Sequence, residues 1–230
     1  MTSSPAHRAA AMALAAMALA ACGPRAATPG GTPAPIGTQG DEAAVARARA
    51  DSVRHPYTAA DVHFMTVMIG HHAQAIAMAR LAPTHGASPP VLRLAERIIN
   101  AQQDEIATMQ QWLRDRRKPV PEPGAMAGHD HGAHARHDAA AAPMPGMLTA
   151  AQMAELDAAR ETEFDQLFLT CMIRHHRGAT EMVRQLFGSY GAGQDETVFK
   201  FASDVNVDQE TEIARMQRML RALQLEGAAR

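Results

Sequence analysis

The chain carries one helical pattern twice. His71-His72 recurs as His175-His176, each pair with a Met three residues before it (Met68, Met172) and a Met six residues after its second His (Met78, Met182). Asp61, Phe64, Thr66, Met68 and Ile69 match Asp165, Phe168, Thr170, Met172 and Ile173 at a constant offset of 104 residues. Downstream, Gln102, Glu105, Ile106, Met109 and Leu113 match Gln209, Glu212, Ile213, Met216 and Leu220 at an offset of 107. Two copies of one helical hairpin is the simplest reading.

The helical periods set the boundaries. A first helix runs from Thr58 to about Leu81 and is stopped by Pro83 and Gly86; a second opens at Ser88-Pro89 and runs to about Arg116. Thr149 can cap a short helix leading into a long one from Asp165 to Phe187, and a last helix extends from about Asp195 to Leu225. Period-two alternation is missing throughout. The expected fold is all-α, a four-helix bundle in which two amphipathic hairpins, 56–117 and 148–226, bury their apolar stripes on each other.

The remaining segments read as attachments. Residues 1–21 have the form of a lipoprotein signal peptide, with Arg8, an apolar stretch from Ala9 to Ala20, and Leu19-Ala20-Ala21-Cys22, which resembles a lipobox. Cys22 is the expected lipidation site, so the chain reads as an exported lipoprotein of the bacterial envelope, tethered at the periplasmic face and not spanning the membrane. Residues 22–55 are then a flexible tether, and 118–147 a disordered His- and Met-rich bridge. With Cys22 lipidated, Cys171 is left alone and no internal disulfide can form. A balance of 22 basic against 24 acidic residues, with 4% aromatics, gives no case for a nucleic-acid partner.

On a helical wheel Met68, His71, His72, Met78, Phe64, Met65 and the small Ala75 share one stripe, and Met172, His175, His176, Met182, Phe168 and Ala179 share its copy. The partner helices repeat the logic with Gln102, Glu105 and Met109, and with Gln209, Glu212 and Met216. Glu105 and Glu212 are natural acceptors for the second ring N–H of a His, and Gln102 and Gln209 can do the same; such partners orient an imidazole and make it a better ligand. Thioethers beside imidazoles suit a soft ion, Cu(I) or Ag(I). A Met stripe with a His, Glu and Gln layer is equally the signature of a packed core with a register-fixing hydrogen-bond network, and the pattern alone leaves both readings open. The bridge favours metal, because His129, His131, His134 and His137 have no structural use in a disordered segment. Cys171 aligns with Val67 and reads as a core thiol, with metal contact the alternative. Trp112 aligns with Met219 and is expected to pack at a helix end. His55, His63 and His85 lack repeat partners and receive no role.

Asp61 to Met78, Phe164 to Met182, Gln102 to Met109 and Gln209 to Met216, together with Met144-Pro145-Gly146-Met147-Leu148, resemble the bacterial family named domain of unknown function 305, over about residues 56–226. The resemblance implies a ferritin-like bundle, usually exported, whose better-understood members bind Cu(I) and Ag(I) through Met and His side chains in copper tolerance. Carried over by position, it implies Met68, His71, His72, Met78, Met172, His175, His176 and Met182 as ligands, with Met65, Met109 and Met216 as further positions. Arg174, where the first half has Gly70, breaks the equivalence of the halves.

The leading expectation is a non-enzymatic copper-binding protein, with silver as a second ion, that sequesters the metal or passes it to copper-handling envelope proteins. A di-iron oxidase on the same fold would need Glu-x-x-His on two helices, and the sequence contains none. A metal-free envelope interaction module is the other alternative.

Overall fold

Thr58 opens the first long helix through a capping box. Its side chain accepts from Asp61 N, while the Asp61 carboxylate accepts from Thr58 N at 2.6 Å. The computed structural model describes residues 36–54, 56–123 and 144–228, and among them all regular structure is helical. The helices are α1 (Ile36–Arg54), α2 (Ala59–Ala79), α3 (Pro89–Asp115), α4 (Ala150–Ala158), α5 (Glu161–Gly188) and α6 (Glu196–Ala228), with a 3-10 turn at Ala82–Thr84. α2 packs on α3, α5 packs on α6, and the two hairpins meet where α2 crosses α5. Thr149 forms the expected cap on α4, a second capping box with Gln152.

Two segments depart from the sequence reading. Residues 36–54 form α1 and lie against α3, with Ala48 buried, where a flexible tether is expected. The stretch from Asp41 to Arg54 has no Gly or Pro and is rich in Ala and Arg, which favour helix. At the other end of the expected mobile bridge, residues 144–148 are tied down across α2 and α5. Residues 124–143, with Met126 and the four bridge histidines, and Cys22 lie outside the described residues.

The core forms two apolar clusters. One holds Ala75, Met78, Ile98, Phe164, Phe168, Met172 and Met216; the other holds Phe64, Met65, Met68, Ile106, Met109, Ala179, Met182 and Val205. Full burial of each Met or Phe contributes about 1.5–3 kcal/mol, so these clusters are what drive the hairpins together.

Buried polar side chains join the ends. Asp61 Oδ1 accepts from Gly193 N at 2.7 Å, fastening α2 to the α5–α6 connection, and its repeat counterpart Asp165 accepts from Ser88 N at 3.2 Å, fastening α5 to the start of α3. Ser88 stands at the N-cap of α3 without a side-chain cap bond. Asp195 caps α6 through the Thr197 and Val198 amides and also receives Trp112 Nε1 at 3.1 Å and Arg116 at 2.5 Å, which places Trp112 at a helix end. His85, without a role in the sequence reading, bonds the main chain and carboxylate of Asp157.

Candidate metal centre

The four repeated histidines sit between the two apolar clusters. Along α2, Phe64, Met65, Met68 and Ile69 belong to one cluster and Ala75, Met78 and Ala79 to the other, and along α5 the order is reversed, as antiparallel crossing requires. His71, His72, His175 and His176 fall in the gap, at most 1% exposed. Gln102 and Gln209 fall in the same gap on α3 and α6, also buried, with Glu105 and Glu212 beside them. The result is one polar layer crossing an otherwise apolar interior.

Within it the histidines do two things. His71 and His175 face each other across the α2/α5 crossing, ring centroids 3.8 Å apart. His72 and His176 each turn to the partner helix of their own hairpin. His176 Nε2 is hydrogen-bonded to Glu212 Oε2 at 2.7 Å, and His72 Nε2 lies equally close to Glu105 Oε2 but out of hydrogen-bond alignment. The two carboxylates are thus where the sequence pattern asks for them, 19% and 16% exposed, between solvent and imidazole.

The state of each ring follows from its partners. His71 Nε2 lies 3.0 Å from the Pro145 carbonyl, which can only accept, so that nitrogen carries the hydrogen and Nδ1 keeps its lone pair. Among the described residues, none is a hydrogen-bond partner for the buried His71 Nδ1, His72 Nδ1, His175 Nε2 or His176 Nδ1. Burial, then the neighbouring His72, pushes His71 down to about 3. Burial, then His71, holds His175 well below the ordinary range. Both rings are neutral at pH 7, the form in which imidazole binds metal.

A buried nitrogen lone pair without a donor is costly in the free protein and calls for a cation or ordered water. Four such nitrogens in one layer, flanked by buried thioethers, fit a soft ion of low coordination number. Among the described residues no three His, Cys, Asp or Glu side chains form a metal-holding group. Met65, Met68, Met78, Met109, Met172 and Met216 are fully buried and Met182 is 6% exposed, divided between the two clusters that flank the layer. Cys171 belongs to the Met172 cluster, where burial raises its thiol pKa. It is a core thiol.

The sequence reading missed the segment that covers the layer. Gln74 grips Leu148 on both sides, Nε2 donating to its carbonyl at 2.9 Å and Oε1 accepting from its amide at 2.7 Å. Gly146, at φ 78°, presses on the main chain of Arg174, His175 and Gly178, and a Cβ on Gly178 would stand 1.9 Å from the Pro145 carbonyl oxygen. Arg174 reaches Gln152 at 2.8 Å. The signal was present as broken symmetry: Gln74 pairs with Gly178 and Gly70 with Arg174 in the repeat, and the strap lies where the halves differ.

The profile of the family described as Domain of unknown function (DUF305) matches residues 61–220. Among solved structures, a DUF305 protein from Streptomyces coelicolor is 26% identical, covering 72% of this chain and 94% of its own, with a TM-score of 0.58. A DUF305 fragment from Deinococcus radiodurans is 29% identical, covering 73% of this chain and 99% of its own, also at 0.58. CopM in its Cu(I)-bound form is 25% identical, covering 70% of this chain and 96% of its own, at 0.52. CopM is also known in Cu(II)-bound, Ag-bound and apo forms. No curated protein matches.

Proposed function

The chain belongs to the DUF305 family, and we propose that it is an exported, non-catalytic copper-binding protein that takes Cu(I), with Ag(I) as a second ion, into the histidine layer for sequestration or transfer. The observation that carries this reading is that, among the described residues, each of the four layer histidines has a buried ring nitrogen without a hydrogen-bond partner, and His72 has two. Binding of copper and silver by CopM, a structural neighbour, supports the choice of ion.

In this reading α2, α3, α5 and α6 make a ferritin-like four-helix bundle. His71 and His175 supply nitrogen ligands at its centre, and His72 and His176 supply two more, oriented by Glu105 and Glu212. Met68, Met78, Met172 and Met182 provide thioethers from either side, which hold Cu(I) without competing for protons. His129, His131, His134 and His137 collect metal outside the bundle. Cys22 anchors the chain by lipid, with the signal peptide before it removed. The description of the Streptomyces coelicolor neighbour as a candidate secreted protein is in keeping with export, and no described helix is long and apolar enough to cross a membrane.

Anaerobic titration with Cu(I) against a competing chelator tests the proposal. Near-stoichiometric binding is expected, with most of it lost when His71, His72, His175 and His176 are all replaced by Ala. Unchanged binding would refute the assignment. If instead the layer is only a register-fixing network, Cu(I) will leave the thermal midpoint unmoved, whereas a specific ligand raises it.

A further inference from the structure

We propose that the acidic cleft between α3 and α6 is a cation-collecting vestibule through which a monovalent metal ion reaches the histidine layer. The proposal rests on the metal-binding reading above and adds the route. On the α2/α5 face the layer is roofed: the strap of residues 144–148 is held by Gln74, bonded to His71 and pressed onto Gly178. α3 and α6, by contrast, do not pack as closely as α2 on α3, α5 on α6 or α2 on α5. Between them lies a cleft of about 470 Å³, lined among the described residues by Asp104, Glu105, Glu196, Asp204 and Asp208 with one cation, Lys200.

Acidic side chains on a surface do not make a site. Here the floor does, because Glu105 lines the cleft and its Oε2 stands 2.7 Å from Nε2 of His72, which is fully buried and, among the described residues, has no hydrogen-bond partner at either nitrogen. One carboxylate thus touches both the solvent-filled cleft and an imidazole of the layer. The local field is negative: the Asp208 carboxyl is raised by burial and then by Glu105, Asp204 and Glu212. Such a cleft concentrates cations and speeds their capture, by 10-fold or more in favourable cases and less as salt rises. Carboxylates are poor ligands for a soft ion, so they attract it without retaining it, and the imidazoles and thioethers draw it inward.

The test is the rate at which full-length protein takes Ag(I) from a weak, fast-releasing chromophoric indicator, followed by stopped flow at several ionic strengths. Asp104→Asn, Asp204→Asn and Asp208→Asn together should slow uptake about fivefold or more at low salt, and Lys200→Glu should speed it, with equilibrium affinity held within about twofold. Gln74→Ala, which loosens the strap, should leave the rate unchanged. Rates insensitive to these charges, or uptake accelerated by Gln74→Ala alone, would overturn the vestibule while leaving the metal site intact. Ag(I) binding that survives loss of all four layer histidines would overturn both readings at once.

Discussion

His71 and His175, separated by 104 positions in sequence, face each other with ring centroids 3.8 Å apart and ring planes tilted by 36° at the point where α2 crosses α5. Neither can take a proton cheaply there, because the charged ring would be buried beside other imidazoles.

This fixes the sign of the acid response. His71 is lowered to about 3 in the folded protein and has an ordinary value of 6.5 when exposed, with His175 shifted the same way. Between those values the unfolded chain binds more protons than the folded one. Stability of the metal-free protein therefore falls as pH drops from about 6.5 towards 3, by up to about 1.4 kcal/mol per pH unit for each group. Thermal midpoints measured across this range should decline, and His71→Asn should flatten the slope. A wild-type midpoint independent of pH in that window would contradict the buried neutral pair.

The strap makes a second prediction. Gly178→Ala puts a methyl group into the Pro145 carbonyl, so either the strap lifts or the protein loses about 1–3 kcal/mol. Gln74→Ala leaves both backbone groups of buried Leu148 without their partner and should cost a similar amount. Chemical denaturation measures the loss, and amide exchange at Leu148 should quicken in both variants.

The two aspartate ties should differ in strength. Asp61 accepts from Thr58 N, Thr58 Oγ1 and Gly193 N at 2.6, 2.8 and 2.7 Å, whereas Asp165 shares one amide at 3.2 Å. Asp61→Ala is expected to cost about 3 kcal/mol and Asp165→Ala about 1 kcal/mol, read from denaturant midpoints. Equal losses would show that the shared repeat position outweighs these contacts.

These ties also show how far the sequence was legible. The repeat made the hairpins and the histidine layer readable, because burial of a stripe depends on period alone, and Glu105 and Glu212 were reachable from the same wheel. Asp61 and Asp165 were visible as matched residues, but their partners, Gly193 and Ser88, lie in connections whose path no helical period describes. Residues 144–148 close a Pro-, Gly- and His-rich run that shows no helical period, so nothing in the pattern marked them as packed. They are held by main-chain bonds to His71 and Gln74, which composition cannot reveal. For α1 the Gly- and Pro-rich residues before it masked a helix-forming run after Asp41.

Alignment of the two His–Glu pairs predicts unequal roles. His176 is well bonded to Glu212, while His72 is close to Glu105 without a good bond. Glu212→Ala should weaken Cu(I) binding about tenfold or more by releasing the ring it orients. Glu105→Ala should weaken it less, as judged by chelator competition.

Ring-nitrogen NMR of the uniformly labelled protein, before and after one equivalent of Ag(I), tests the central claim most directly. The account predicts that the His71 Nδ1 and His175 Nε2 signals lose the character of free lone pairs and shift together with those of His72 and His176. Layer rings that stay unshifted while the ion is taken up elsewhere on the chain would contradict it.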